Sequence, residues 1–274
     1  MTMSRIGAAF IYLILLAVSL IVLYPLLFTV FSSFMTEKEV SVFPPPIFPH
    51  QLYWGNFQKA VETVPIVRFI VNSVVVSSAI TAAQLFTSSL AAYAFAFMNF
   101  RFKSALFLLY LSTMMIPWEV TIIPNYLTVK SWGWLDSYQG LIVPFMAGAF
   151  GVFLLRQFFL QLPHELFEAA RMDGCGHVRG FVSIVLPLSR PALATLTVYV
   201  FLNHWNSYLW PLLITNKPTM RTVQIGVAML QHEEVMSWNL ILAGVTLVLL
   251  PSFVLLALGV KQLIRGITAG AVKG

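Results

Sequence analysis

Charge is confined to a few places along this chain, and the intervals between them are long and apolar. Residues 6–36, 69–100, 137–155, 191–216 and 235–260 contain no Asp, Glu, Lys or Arg. Residues 104–129 are interrupted only by Glu119. A helix needs about 20 apolar residues to cross a hydrocarbon core, and each interval is of that order. The pattern predicts an all-α membrane protein with six transmembrane helices, at about 8–34, 69–98, 104–127, 138–160, 190–215 and 238–262. Two longer polar connections remain, one after the first helix and one between the fourth and fifth.

Proline positions modify this picture. Pro117 and Pro124 should bend or break the third helix, because each removes a backbone donor. Irregular backbone at membrane depth is tolerated only where it packs in protein or lines a cavity. The stretch FPPPIFPHQLYWGNF, 43–57, cannot be a regular helix, and its aromatic residues suit a membrane interface. A short surface helix is expected over 57–67.

Composition excludes a soluble domain. Charged residues are 9% of the 274 and apolar residues 59%, whereas soluble domains carry about 25% charge. Mean hydropathy is +0.84. The first apolar run, 31 residues in 6–36, is too long for a typical signal peptide and lacks an A-x-A cleavage site, so it reads as a retained helix. Cys175 is the single cysteine, which excludes an internal disulfide framework.

The basic residues set an orientation. With the N-terminus cytoplasmic, the inner segments hold ten: Arg5, Arg101, Lys103, Arg156, Arg171, Arg179, Arg190, Lys261, Arg265 and Lys273. The outer segments hold six: Lys38, Lys59, Arg68, Lys130, Lys217 and Arg221. The positive-inside rule therefore puts both termini and the 162–188 loop in the cytoplasm. The net charge of +6 is thus read as topology, not as nucleic-acid binding.

No phosphate-cradling G-x-x-x-x-G-K-[ST] or G-x-G-x-x-G stretch occurs, and no catalytic or metal-type cluster stands out. His50, His164, His177, His204 and His232 are scattered and read as packing or interface residues. The chain is expected to bind no cofactor or metal and to catalyse no reaction.

The densest chemistry lies in LPHELFEAARMDGCGHVRGFVSIVLPLSRP, 162–191. Pro163 suits a helix start, and Glu165 and Glu168 lie near its positive end. Leu166, Ala169 and Ala170 share one face, and Gly174 falls where a C-cap belongs. A second short helix should bury Val178, Phe181, Val182 and Val185 and stop at Pro187. Ser189 and Pro191 should then open the fifth membrane helix. From the residues alone this is either an interfacial hairpin or a knob that docks into another protein.

The spacing E-A-A-x(3)-G-x(9)-I-x-L-P is matched by Glu168, Ala169, Ala170, Gly174, Ile184, Leu186 and Pro187, and it resembles the EAA loop of ABC importer permeases. NSVVV at 72–76, RQFFLQLP at 156–163, WNSYLWPL at 205–212 and GITAGAVKG at 266–274 resemble permeases of the carbohydrate-uptake class. The MalG-like sugar and glycerol-3-phosphate permeases are the nearest group. The resemblance implies a type I ABC importer permease fold (MetI-like) in a cytoplasmic, or inner, membrane. It implies a second, MalF-like permease subunit, an extracytoplasmic solute-binding protein and two cytoplasmic ATPase subunits that use ATP and Mg. Each ATPase would receive one EAA loop, with Arg171 and Asp173 beside the matched positions. The 264–274 tail, through Gly270, Val272, Lys273 and Gly274, would reach into the ATPase dimer as an extended segment. Transport of a sugar, oligosaccharide or polyol-type solute, glycerol-3-phosphate among them, would follow by alternating access.

Candidate solute contacts are Asn203, Asn206 and Trp210, which share a face at i, i+3, i+7 on the fifth helix, with Tyr208 beside them. Amides hydrogen-bond hydroxyls and indoles stack on sugar faces. The same asparagines also suit bonds between helices. Glu119, the acid within an apolar run, reads as a cavity contact or as an interhelical hydrogen bond. An ion-gradient-driven secondary transporter is the alternative, and it would need coupling acids where only Glu119 qualifies.

Overall fold

The computed structural model describes residues 5–232 and 237–269. All regular secondary structure among the described residues is helical, with no strand. Three helices are long and apolar enough to cross a membrane unaided: α1 (Arg5–Ser32), α4 (Ile66–Phe97) and α15 (Trp238–Ala269). Three bent pairs bring the number of candidate spans among the described residues to six. The chain is thus an all-α, multi-pass membrane protein.

The described residues divide into two compact units, Met1–Val67 with Gly226–Leu250, and Arg68–Ile225 with Pro251–Gly274. In the first, α1 exposes its apolar side chains all round, from Phe10 to Leu27, as fits a helix whose solvent is lipid. A short helix α2 (Glu37–Val40) and an amphipathic α3 (Gly55–Thr63) follow. α3 starts two residues before the expected position. Asn56 on α3 is buried and donates to Ser33 O (2.9 Å) and Met35 O (2.7 Å), and its Oδ1 accepts from Asn239 Nδ2 (2.7 Å). Trp54 packs edge-on against Phe34 at 4.9 Å, and Phe57 lies 5.0 Å from Phe34. Both rings thus pack on the segment that follows α1.

In the second unit the core gathers Ile80, Leu155, Phe159, Leu196, Trp210 and Ile214, all buried. α4 contributes a buried line of small polar residues, including Ser73, Ser77, Thr81 and Ser88. Thr81 Oγ1 donates back to Ser77 O (2.6 Å) and Ser89 Oγ to Leu85 O, whereas the Ser77 and Ser88 hydroxyls are buried with no hydrogen-bond partner among the described residues. Small side chains allow helices to approach closely. Gly151 lies so near Ser88 Oγ that any Cβ there would collide with it.

Three predicted spans are not single helices. The third is α5 (Lys103–Ser112) and a 3-10 turn Thr113–Met115, then α6 (Trp118–Ser131) at 94°. Ile116 and Pro117 are extended. Pro117 therefore breaks the helix, while Pro124 is carried inside α6 without breaking it. The fourth is α7 (Tyr138–Ile142), a 3-10 turn at Val143–Phe145, and α8 (Ala149–Phe159) at 43°. The fifth, expected unbroken over 190–215, ends early at Trp205 and resumes as α13 (Leu209–Ile214). Had α12 (Arg190–Trp205) continued, the Pro211 ring would meet the carbonyl of Ser207 four residues back. The break moves Pro211 into the first turn of α13, where no donor is needed. α12 rises about 24 Å, so the span needs α13 to cover a core of about 30 Å.

The sixth helix runs on to Ala269. Residues 264–269 of the expected extended tail are therefore helical. Gly270, Val272, Lys273 and Gly274 lie outside the described residues.

α4 is fastened to the 217–223 connection by the first two residues of NSVVV. Buried Asn72 donates to Thr219 O (2.9 Å) and Arg221 O (2.8 Å) and accepts from Tyr138 Oη (2.8 Å). Ser73 Oγ accepts from Val223 N (2.9 Å). Asn72 and Ser73 thus hold a loop that follows α13, before α14 (Val223–His232) begins.

Candidate functional site

The 162–188 loop forms two helical pieces. α9 (His164–Met172) ends in a Schellman turn: Cys175 N donates to Ala170 O (2.8 Å), and Gly174 has φ +75°. Left-handed backbone favours glycine, so the expected C-cap is present. The second piece is α10 (His177–Gly180), a π turn Phe181–Val185 and α11 (Leu186–Leu188). Pro187 does not stop it, contrary to expectation. In the π turn, Leu186 N reaches back to Phe181 O. This wider coil takes up the donor and space that Pro187 denies an α-helix. The rod ends at Ser189, and α12 leaves at 76°.

The face that packs differs from the face predicted. Leu166 and Ala169 are exposed, and the half-buried residues of α9 are Phe167 and Ala170. Phe167 stacks on Phe97 of α4 with centroids 4.3 Å apart. On the second piece Val185 is buried and Phe181 packs on Tyr93 at 5.2 Å, but Val178 and Val182 are exposed. His177 Nδ1 lies 3.3 Å from Tyr93 Oη. A recess of about 200 Å³ under the loop is lined by Tyr93, Phe97, Phe167, Ala170, His177 and Ile184.

The opposite face is exposed. Met172 is 89% exposed and Val178 79%. The side chains of Glu165, Glu168 and Asp173 are exposed and make no hydrogen bond among the described residues. Of the other matched positions, Ile184 and Leu186 are half-buried and Pro187 is exposed. The Arg171 side chain lies outside the described residues.

The solute candidates separate. Trp210 is buried, its Nε1 donating to Gly140 O (3.1 Å), and it packs on Trp118 and Phe145. It is a core residue. Asn206 donates to Leu202 O (2.9 Å) and accepts from Gln224 Nε2 (3.2 Å), capping the end of α12. Tyr208 is exposed beside the break. Glu119 is exposed in the first turn of α6, where the helix dipole favours an acid. Asn203 lines a pocket of about 440 Å³. Its neighbours there include Gln84, Trp118, Tyr199, His204 and Ser207. The i, i+3, i+7 pattern failed because the helix stops before i+7. The residues of this stretch that line the pocket are Tyr199, Val200, Asn203 and His204 on α12 and Ser207 just past its end.

Comparison with known proteins supplies the deciding observation. The family described as "Binding-protein-dependent transport system inner membrane component" matches residues 84–268. The chain belongs to this family. It is the permease subunit of an ABC importer, a transport component and not a catalytic enzyme, and it works in a complex with a binding protein and an ATPase. The permease is 36% identical over 266 residues to the sn-glycerol-3-phosphate transport system permease protein UgpE of Yersinia pestis bv. Antiqua (strain Antiqua), covering 94% of this chain and 95% of that one. It is 36% identical over 265 residues to the protein of the same name from Agrobacterium fabrum (strain C58 / ATCC 33970), covering 93% and 94%. Among solved structures it is similar to a bacterial ABC transporter involved in the import of the acidic polysaccharide alginate. There the TM-score is 0.82 with 20% identity, over 95% of this chain and 99% of that chain. That likeness carries the permease fold. The family assignment also accounts for the absence of a nucleotide motif, since ATP and Mg are used by a separate subunit.

Proposed function

We propose that this permease imports a sugar or polyol-type solute, in the class to which the sn-glycerol-3-phosphate of its relatives belongs, by alternating access driven by an ATPase docked on the 162–188 loop. The carrying observation is the two-sided loop: Phe167 and Phe181 grip α4 through Phe97 and Tyr93. The opposite side offers exposed Met172 and Val178, with Glu168 and Asp173 whose carboxylates have no partner among the described residues. An apolar centre rimmed by charge is the anatomy of a docking surface. Glu168, Ala169, Asp173 and Gly174 are the contacts expected in the ATPase groove, with Arg171 beside them. The loop is continuous with α8 and α12, so closure of two ATPases rocks both. A MalF-like second permease completes the pore, and an extracytoplasmic binding protein delivers the solute. Both termini lie in the cytoplasm, as the distribution of basic residues favours. There Gly270, Val272, Lys273 and Gly274 meet the ATPase pair.

The test is uptake into proteoliposomes holding the whole complex. Uptake of sn-glycerol-3-phosphate or a neutral sugar that needs enclosed ATP and binding protein, and ignores imposed proton or sodium gradients, is the expected result. Uptake driven by either gradient without ATP would sink the reading in favour of secondary transport.

A further inference from the structure

The 440 Å³ pocket is walled by α4, the broken α5–α6 pair, α8 and α12. Its volume is in the range of small-molecule sites. It sits at both irregular stretches of backbone: Thr113 and Met114 come from the 3-10 turn, Trp118 opens α6, and Ser207 lies in the α12–α13 gap. Broken helices at membrane depth occur where they line a cavity. The depth agrees from two directions. Asn203 lies 13 residues beyond Arg190, and Gln84 lies 13 residues before Phe97. Each is therefore about 20 Å from the loop end of its helix, past the middle of a core of about 30 Å.

The chemistry of the wall is specific. The Asn203 amide, the His204 imidazole and the Tyr199 and Ser207 hydroxyls have no hydrogen-bond partner among the described residues. Gln84 spends its Nε2 on Phe145 O (2.8 Å), leaving Oε1 free beside Gly148. Trp118 is held at 5.0 Å from Phe145 and edge-on at 5.7 Å to Trp210, and Tyr199 stacks with Phe150 at 4.3 Å. Rigid aromatic walls with amides and hydroxyls that both donate and accept suit C–H faces and hydroxyl groups. No Lys, Arg, Asp or Glu lines the pocket. A phosphate or carboxylate buried there would lose its hydration with no opposing charge.

We propose that this pocket is a solute subsite that takes the uncharged, hydroxyl-bearing part of the transported molecule, through Asn203, His204, Tyr199 and the Gln84 carbonyl, with Trp118 as its stacking wall. The inference rests on the sugar or polyol reading above and sharpens it: any anionic group on the solute is held elsewhere, away from this subunit's pocket.

The test uses the whole reconstituted complex and three radiolabelled probes: sn-glycerol-3-phosphate, maltose and sorbitol. Solute carried per ATP hydrolysed is measured for Asn203→Ala, His204→Phe and His204→Gln, with Asn206→Ala as a substitution outside the pocket. Asn203→Ala and His204→Phe should each lower the ratio about tenfold for whichever probe the unaltered complex carries, since each leaves a solute hydroxyl unpaired. His204→Gln should recover most of it, and Asn206→Ala should match the unaltered complex. Unchanged ratios in Asn203→Ala and His204→Phe overturn the subsite. So does a parallel fall in transport and ATPase turnover, which marks a structural role. If the unaltered complex carries none of the probes, the sugar or polyol reading falls first and takes the subsite's ligand with it.

Discussion

Phe97, the last residue of α4, stacks on Phe167 in the middle of α9, with ring centroids 4.3 Å apart and planes inclined at 33°. The chain joins the 162–188 loop only to α8 and α12, so this pair is what ties a third span to it. Phe97 also meets Phe159 at 6.3 Å, and Tyr93 one turn earlier holds Phe181 and His177. The loop is thus joined to α4 through side chains, not through backbone.

Phe167→Ala tests that link. Truncating a half-buried aromatic should destabilise by about 1–3 kcal/mol, below the 3–5 of a fully buried ring. The decisive reading is coupling: solute carried per ATP should fall several-fold, with Phe167→Leu intermediate. Parallel measurement of uptake and phosphate release in proteoliposomes checks this, and an unchanged ratio would remove the link from the mechanism.

Gly174 and Glu168 separate fold from docking. Gly174→Asp forces an L side chain to φ +75°, at about 1–2 kcal/mol, and re-aims the end of α9. Glu168→Lys reverses an exposed charge that has no partner within the described chain. Its unfolding free energy should therefore stay within about 0.5 kcal/mol of the unaltered protein's. Both should lower transport at equal membrane levels, and ATPase retention on co-purification should drop. Normal transport by both variants would be incompatible with docking through this face.

Asn72 predicts a graded loss of stability. Asn72→Ala strips partners from two loop carbonyls and the Tyr138 hydroxyl, at about 1–3 kcal/mol for each buried group left unpaired. Tyr138→Phe removes one bond and should cost about 1 kcal/mol. Thermal unfolding of the purified protein in detergent gives the order, and equal losses would contradict it.

The outer segment should loosen in acid. Thr36 N (2.8 Å) and His50 N (3.0 Å) donate to the Glu39 carboxylate, as does the Thr36 hydroxyl, and His50 Nδ1 lies 2.8 Å away. These bonds, the Thr36 backbone donor foremost, pull its pKa from the ordinary 4.5 to about 2. A lowered folded-state pKa means that the carboxylate's contribution is fully present above pH 4.5 and is lost as pH falls from 4.5 towards 2. Hydrogen exchange across 36–50 should rise over that window, and Glu39→Gln should abolish the pH dependence.

Much of this was open to reading along the chain because the responsible forces are local. Gly174 was legible as a C-cap, since a left-handed turn asks for glycine wherever it occurs. Pro117 was legible as a break, since a missing donor acts within one turn. Pro124 and Pro187 show the limit: a helix interior and a π turn absorbed them, according to what the neighbouring turns could do. The packed face of α9 was misassigned, because Phe97 on α4 selects Phe167 and Ala170 over Leu166 and Ala169. His204, read as a packing or interface histidine, does pack on Phe145 at 5.0 Å, and only the convergence of α4, α6, α8 and α12 also puts it in a pocket.

By itself, then, the sequence determined the solvent, the all-α multi-pass class and the EAA pattern, and it set the expectation of six spans with a cytoplasmic loop. Each follows from a run of side chains whose transfer energies add along the backbone. The tertiary structure decided which spans break, which face of α9 is held, and that Asn203 and His204 meet Gln84 while Asn206, Tyr208 and Trp210 turn away. Those outcomes depend on helices more than 60 residues apart in the chain, and no local preference encodes how such helices meet.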